Sequence, residues 1–298
     1  MATHRSWPRV FDAHCHLHDP RLSAQRSDVL QRATAFNVTY VATCACFEED
    51  WTALDELLAE MKAAQGAGQP FVDIVPAFGI HPWWANAQSD QYLDKLRAKL
   101  DQYPRAALGE IGLCKSNRGR QVDRAVQERV FREQLELAAE LGRPCVLHCV
   151  GVYGKLLEIL QSVQKARGLP PAVVLHSYSG APDMIPAFLA LQQASRGASK
   201  LYFSLNAKQL SSQPKAIQAC TKVPLDALLL ETDAPDQALD VAQVSAVLGE
   251  ETIVVDGLNE PAMVQLALIK AAEAREMSTD ELASAVFDNT VRAFRVSV

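Results

Sequence analysis

The stretch Val10-Phe11-Asp12-Ala13-His14-Cys15-His16 is an apolar run of strand length that stops at two histidines. Four further runs have this form, and each places a His, Glu or Asp where the run stops. They are Ala107-Leu108-Gly109-Glu110, Cys145-Val146-Leu147-His148, Val173-Val174-Leu175-His176 and Ala227-Leu228-Leu229-Leu230-Glu231-Thr232-Asp233. In a parallel β/α barrel the carboxyl ends of the strands converge on one face. The runs therefore predict that side chains far apart in sequence meet in one pocket.

Apolar runs of strand length alternate with longer amphipathic segments along the chain. The predicted strands lie near residues 10–17, 39–45, 72–80, 106–113, 145–150, 172–178, 201–206 and 227–233. The predicted helices lie near residues 27–36, 50–65, 89–101, 123–142, 153–167, 182–193, 212–221, 259–275 and 279–294. Eight strands that each precede a helix indicate an α/β fold of the (β/α)8 TIM-barrel type. A doubly wound sheet binds ligands at one switch point, whereas five strands contribute here, so the barrel is favoured.

Length and composition suit one barrel domain spanning residues 1–298, since such barrels typically have about 250 residues. Hydrophobic residues make up 49% and charged residues 21% of the chain, an ordinary globular balance. No apolar run approaches the ~18 residues of a membrane span, and no signal peptide is expected in the nine residues before the first strand, which are too few and lack an apolar run. The expected location is the cytoplasm, with the nucleus as the alternative. Neither a membrane nor an obligate protein partner is expected.

Cysteine count and net charge restrict the function further. Seven cysteines, an odd number without C-x-x-C spacing, predict free thiols rather than a disulfide framework. The net charge of −6 argues against a broad nucleic-acid-binding surface, because such binding depends on many Lys or Arg contacts to phosphate. Any nucleic-acid substrate is therefore expected to be held locally, by metal ions and a few basic groups.

His14 and His16 form an H-x-H pair on the first predicted strand. The two-residue period of a strand sends both imidazoles to the same side, where they can share one divalent cation. Asp12 has the same parity and could orient a ligand without binding the ion. A histidine in a strand is more often an ordinary core or surface group, so the pair alone is weak evidence. However, five of the seven histidines lie at ends of predicted strands: His14, His16, His81, His148 and His176.

Glu110 is a carboxylate inside an otherwise apolar strand. Burial of its charge is costly unless a cation or a hydrogen-bond partner compensates it. A carboxylate that bridges two metal ions explains its position, and a buried structural ion pair is the alternative.

Asp233 and His81 complete the candidate catalytic groups. Asp233 could bind one ion and accept a proton from an attacking water whose pKa the metal has lowered. Glu231 shares the parity of Asp233 but lies deeper, so an internal hydrogen-bonding role is at least as well supported. His81 follows the third strand and could donate to a phosphate or leaving group without binding metal. The alternative is a loop histidine with no role.

The segment from Ala234 to Leu258 interrupts the alternation of strands and helices. Long loops inside a compact domain are usually binding loops or lids, so this segment is predicted to face the substrate. The helix after it begins near Asn259-Glu260-Pro261, where Asn can cap and Pro suits the first turn.

Together these motifs resemble the TatD family of metal-dependent deoxyribonucleases, β/α barrels of the amidohydrolase superfamily. The resemblance covers nearly the whole chain. Its motifs are Phe11–His16, Phe78–Pro82, Gly109–Leu113, Leu147–Cys149, Leu175–Gly180, Leu230–Pro235, Asn259–Ala262 and Asp288–Thr290. It implies that one ion is held by His14, His16, Glu110 and Asp233, and the other by Glu110, His148 and His176. It also implies that His81 binds or activates the substrate.

The chain departs from the family pattern at four positions around these motifs. Cys114 replaces an aspartate, Trp83 replaces a histidine common in relatives, and Val150 and Leu258 replace arginines. Two phosphate-binding arginines are thus missing. This loss favours substrates other than DNA unless basic residues elsewhere compensate. The candidates for compensation are Lys115, Arg118 and Lys208.

The predicted function is a metal-dependent hydrolase, foremost a deoxyribonuclease that cleaves DNA phosphodiester bonds with two divalent ions. Histidine-rich ligand sets suit Zn²⁺, and oxygen-rich phosphoryl sites accept Mg²⁺ or Mn²⁺. In this reading Glu110, Asp233 and His81 are the catalytic residues. The alternative enzyme acts on small amide, lactone or phosphoester substrates with the same ligands. A scaffold protein without activity is disfavoured because all six ligands are present.

Overall fold

The computed structural model describes residues 6–66, 72–194, 198–248 and 257–297, and it contains eight parallel strands paired in sequence order. The strands are β1 (Val10–Cys15), β2 (Val38–Cys44), β3 (Asp73–Phe78), β4 (Ala107–Cys114), β5 (Cys145–Val150), β6 (Ala172–Leu175), β7 (Lys200–Asn206) and β8 (Leu228–Glu231). Each lies at a predicted position, and the (β/α)8 fold is confirmed.

The barrel closes where β8 meets β1. Cys15 and Ala234 form a parallel bridge just beyond the end of β8. The amide of His16 donates to the carbonyl of Ala234 at 2.6 Å, and the amide of Asp233 donates to the carbonyl of His14 at 2.9 Å. The first and last strands are therefore joined beside the predicted ligands.

Burial explains why the strands are continuous apolar runs. Every residue of β1, β4, β6 and β8 is buried. In a parallel barrel each strand is covered by helices on the outside and by packed side chains on the inside. Because neither face of these strands is exposed to solvent, their sequences do not alternate between apolar and polar residues as those of a half-exposed sheet do.

At least one helix lies between each pair of consecutive strands. The helices are α1 (Arg26–Ala35), α2 (Glu48–Gly66), α3 (Tyr92–Gln102), α4 (Arg124–Glu140), α5 (Tyr153–Arg167), α6 (Ile185–Ala194), α7 (Ala207–Ser212), α8 (Pro214–Lys222), α9 (Val241–Leu248), α10 (Val264–Arg275) and α11 (Thr279–Phe294). Short 3₁₀ turns precede some of them, including Pro82–Trp84 and Gly119–Gln121.

The helix predicted near residues 212–221 is confirmed by α8, whereas the short helix α7 before it was not predicted. Asn206 starts α7 early, since its side chain accepts from the amide of Gln209 while the Gln209 side chain accepts from the amide of Asn206. Pro214 then begins α8, where its missing N–H is tolerated in the first turn.

The predicted loop from Ala234 to Leu258 contains a helix, α9. Asp240 starts it by accepting from the amide of Ala242 at 2.8 Å, and Val244 is buried. Treating the whole segment as a loop was therefore wrong. Residues 249–256 lie outside the described residues, and the substrate-facing role of the segment stays a prediction.

The state of the cysteines agrees with the expectation from composition. All seven cysteines are buried free thiols. Within the described ranges, no helix combines the length and apolarity needed to cross a bilayer. The cytoplasmic location and its nuclear alternative stay predictions.

Candidate metal centre

The six side chains predicted as ligands meet at the carboxyl end of the barrel. Three lie within strands, and three lie one or two residues beyond a strand. They are His14 in β1, Glu110 in β4, His148 in β5, His16 after β1, His176 after β6 and Asp233 after β8. The carboxylate of Glu110 lies at the centre of the group.

One oxygen of Glu110, Oε2, faces the first set of donors. The Nε2 atoms of His14 and His16 are 3.3 Å apart. Each lies 3.5–3.6 Å from Glu110 Oε2 and from Asp233 Oδ1. A tetrahedron with metal–ligand distances of about 2.1 Å has edges of about 3.4 Å. Each histidine nitrogen therefore has the spacing to the other nitrogen and to both carboxylate oxygens that one tetrahedral ion requires.

The other oxygen of Glu110, Oε1, faces a second set. His148 Nδ1 and His176 Nε2 each lie 2.8 Å from it, and these two nitrogens are 3.4 Å apart. His81 Nε2 lies 3.5 Å from the same oxygen. A carboxylate with one oxygen toward each set of donors has the arrangement of a bridging ligand.

A close approach of two strands helps to bring Glu110 to His148. Gly112 in β4 has a φ of +142°, and a Cβ there would lie 2.0 Å from the carbonyl oxygen of His148 in β5. Only glycine fits this position without moving the backbone.

Glu110 is ionised although it is buried. Burial raises the pKa of a carboxyl group, but the charge of the neighbouring His176, with hydrogen bonds from His14 and His148, holds the pKa of Glu110 well below its ordinary value. A buried carboxylate that stays charged needs positive charge beside it.

The imidazoles of the centre fall into two groups. Burial and the charge of neighbouring imidazoles lower the pKa of His14 and, more strongly, that of His81. Against the effect of burial, the neighbouring carboxylates raise the pKa of His16 to about 9 and that of His176 well above its ordinary value. Protonated His16 and His176 thus balance the carboxylates. Divalent cations held by the same donors would also balance the negative charge of the carboxylates, and they would displace these protons.

His81 is buried and carries its proton toward the centre. The amide of Trp83 donates to His81 Nδ1 at 3.1 Å, so the neutral ring has its proton on Nε2, which faces Glu110. The side chain of Gln134 fixes the backbone of Ile80, the residue before His81. It accepts from the amide of Ile80 at 2.7 Å and donates to the carbonyl of Ile80 at 3.1 Å. His81, Glu110 and His148 also form a group that could hold an ion.

Asp12 and Glu231 lie behind the ligands. Asp12 accepts from the backbone amide of His14 at 3.3 Å, which matches an orienting role. Glu231 accepts from the amide and the hydroxyl of Ser177, both at 2.7 Å, and lies 3.5 Å from His176 Nδ1. This network agrees with the internal hydrogen-bonding role considered for Glu231.

Two cysteines at the end of β2 also lie in the centre, and they were not predicted from the sequence: Cys44 is the last residue of the strand and Cys46 lies two residues beyond it. Cys44 Sγ lies 3.4 Å from His14 Nδ1. Cys46 Sγ lies 3.9 Å from both His16 Nδ1 and Glu110 Oε2, and these three residues form a further group able to hold a metal. The signal was a Cys-x-Cys pair at a strand end, with the same two-residue period as H-x-H.

The rim of the centre carries aromatic and basic side chains. Trp83 Nε1 donates to Cys114 Sγ at 3.2 Å. The guanidinium of Arg118 lies over the ring of Trp83. Lys115 and Lys208, the other two basic candidates, are exposed.

The chain matches the sequence model of one protein family, described as TatD related DNase, over residues 11–295. The "uncharacterized metal-dependent hydrolase YjjV" of Escherichia coli (strain K12) is 31% identical over 293 residues, with 97% of this chain and 98% of that protein covered. The "3'-5' ssDNA/RNA exonuclease TatD" of Musicola paradisiaca (strain Ech703) is 28% identical, with 96% and 98% covered. The human "deoxyribonuclease TATDN3" is 24% identical, with 96% and 94% covered.

The barrel is also similar to a solved structure. The crystal structure of the Escherichia coli TatD homologue YjjV superposes with a TM-score of 0.75 at 27% identity. The superposition covers 97% of this chain and 99% of that one, so the similarity extends over the whole barrel.

Proposed function

Because the chain belongs to the family of TatD-related DNases, we propose that it is a metal-dependent hydrolase that cleaves DNA phosphodiester bonds with two divalent ions. The observation that carries this proposal is the orientation of Glu110, with one oxygen toward each set of donors. Relatives named as a 3'-5' ssDNA/RNA exonuclease and as a deoxyribonuclease support the substrate class.

In this proposal the six ligands divide between two ions that share Glu110. The first ion would be held by His14, His16, Glu110 and Asp233, and the second by Glu110, His148 and His176. Bound divalent ions supply positive charge for the phosphate oxygens and lower the pKa of water. Imidazole and carboxylate donors accept Zn²⁺, Mn²⁺ or Mg²⁺, with more imidazole favouring zinc.

Asp233 is the proposed acceptor of the proton from the attacking water. Its side chain is 13% exposed, compared with 3% for Glu110, so water can reach it. Its Oδ1 lies 3.5 Å from His14 Nε2 and 3.6 Å from His16 Nε2. A carboxylate at this position can therefore hold an ion and accept a proton.

His81 is the proposed donor to a phosphate oxygen or to the leaving oxygen. Its Nε2 carries a proton, and its ring lies 4.3 Å from the ring of His148. A neutral imidazole that donates without being deprotonated itself stabilises the negative charge that develops on the phosphate.

A second candidate, a hydrolase of small amide, lactone or phosphoester substrates, is supported by the rim. Val150 and Leu258 stand where the family carries arginines, and neither can bind phosphate through a charge. Smaller substrates would need only the metal centre.

The test is a screen of metal-loaded enzyme against single-stranded DNA, double-stranded DNA, bis-p-nitrophenyl phosphate and a panel of lactones. We expect turnover of the oligonucleotides and of bis-p-nitrophenyl phosphate, and loss of both in Glu110→Ala. Turnover of lactones with no phosphodiester cleavage would refute the nuclease proposal and favour the second candidate.

A further inference from the structure

Arg118 holds its charge over two indole rings at the rim of the metal centre. Its guanidinium carbon lies 4.3 Å from the ring centroid of Trp83 and 4.5 Å from that of Trp84. The side chain is exposed, and no carboxylate of the described ranges lies within ion-pair distance of it. The ring faces attract the cation, and no side-chain hydrogen bond of Arg118 is found in the described part of the chain, so its N–H groups can still donate to an anion.

The two indole rings that contact Arg118 are held in place by their own contacts. Trp83 donates through Nε1 to Cys114 Sγ and through its amide to His81. Trp84 stacks on Phe47, with 4.7 Å between ring centroids. A cation that already packs on two fixed rings loses little side-chain freedom when it binds an anion.

The ring of Trp83 also places the guanidinium of Arg118 near the metal centre. The ring of Trp83 lies 4.5 Å from the ring of His81 and 6.0 Å from the ring of His148. Arg118 lies against this same ring. The ring of Trp83 therefore lies beside both the guanidinium and two imidazoles of the metal centre.

We propose that Arg118 is a phosphate-binding residue, which contacts a backbone phosphate next to the one being cleaved. This inference rests on the proposed nuclease function. In a protein of net charge −6, a polyanionic strand needs cations placed at the site itself. A guanidinium can bind phosphate with two parallel hydrogen bonds. Arg118 would thereby compensate for the arginines that Val150 and Leu258 replace.

The test compares Arg118→Ala and Arg118→Lys with a matched control, Arg120→Ala, which removes an exposed arginine two residues away. Binding of a phosphorothioate oligothymidylate, which resists cleavage, is measured by fluorescence anisotropy with metal-loaded protein over a range of salt concentrations. Turnover of an oligonucleotide and of bis-p-nitrophenyl phosphate, which has no neighbouring phosphate, is measured in parallel.

For Arg118→Ala we expect oligonucleotide binding to weaken by roughly tenfold or more. The fall of the logarithm of the binding constant with the logarithm of the salt concentration should become less steep, by about one in slope. The loss on the oligonucleotide should exceed any loss on bis-p-nitrophenyl phosphate by about tenfold. Arg118→Lys should keep the salt slope but recover only part of the affinity, because an ammonium cannot make the paired contact.

The inference is overturned if Arg118→Ala and Arg120→Ala have equal affinities and equal slopes. It is also overturned if Arg118→Ala lowers turnover of the oligonucleotide and of bis-p-nitrophenyl phosphate equally. The arginine would then act only by keeping Trp83 and His81 in position. If the parent binds the oligonucleotide with a slope that depends on Arg118 but cleaves no phosphodiester, the nuclease proposal fails and the phosphate contact stands.

Discussion

The carboxylate of Asp12 accepts hydrogen bonds from both the backbone amide and the hydroxyl of Thr232, at 2.9 and 2.5 Å. Asp12 lies in β1 and Thr232 directly follows β8, and both are buried. The pair joins the first strand to the last between His14 and Asp233, two proposed ligands of one ion. The metal centre and the closure of the barrel therefore depend on the same contact.

Thr232→Val should lower stability, because it removes the hydroxyl donor and leaves a buried carboxylate oxygen without its partner. We expect the free energy of unfolding to fall by about 1–3 kcal/mol. Urea denaturation monitored by circular dichroism measures the change. Thr221→Val is the matched control, since the hydroxyl of Thr221 bonds only to the carbonyl of Gln218 on an exposed surface. Equal losses in the two variants would contradict a closing role for Thr232.

Glu110→Ala should lose more activity than His81→Ala. The first variant removes a donor from both sets, whereas the second removes a group proposed to act on the substrate. Elemental analysis after dialysis should find fewer than two ions per chain in Glu110→Ala and an unchanged content in His81→Ala. Retention of two ions by the Glu110 variant would rule out the bridging role.

Val150→Arg should improve DNA binding or cleavage at low salt. It introduces a charge where the resemblance to the family implies an arginine, and each charge-assisted contact contributes about 1.5–3 kcal/mol when it forms. The cleavage efficiencies of the variant and the parent are compared across salt concentrations, with metal content checked. If the variant gains nothing while the parent already cleaves DNA efficiently, other basic groups, Arg118 first, supply the contact.

Glu48 should make stability depend on pH. Burial alone would raise the pKa of Glu48, but Lys95 and the amide and hydroxyl of Ser89 lower it overall. A carboxyl group whose pKa is depressed on folding stabilises the protein above its unfolded pKa of about 4.3, and this stabilisation is lost as the pH falls further.

The parent should therefore be more stable than Glu48→Gln at pH 7, and the difference should shrink as the pH falls toward 3. Urea midpoints of both proteins at each pH give the difference, and effects common to both cancel. A difference that stays constant over this range would show that the charge of Glu48 does not contribute.

Much of the architecture could be predicted from local pattern. Strands buried on both faces are continuous apolar runs, so β5 was placed at Cys145–Val150, its bounds in the structure. The histidines could be assigned to one face, because parallel strands in a barrel all end at the same rim. The helices that were not predicted, α7 and α9, are short and begin at local caps, Asn206 and Asp240, so they show no long apolar periodicity.

Strand period and strand ends are local properties of the chain, so the pattern of residues was enough to predict six of the side chains at the rim. The folded chain was needed to show which oxygen of Glu110 faces which histidines, that Cys46 approaches His16, and that Arg118 lies over Trp83. Such distances depend on barrel closure, strand register and side-chain rotamers together. They join residues whose separation along the chain carries no information about their separation in space.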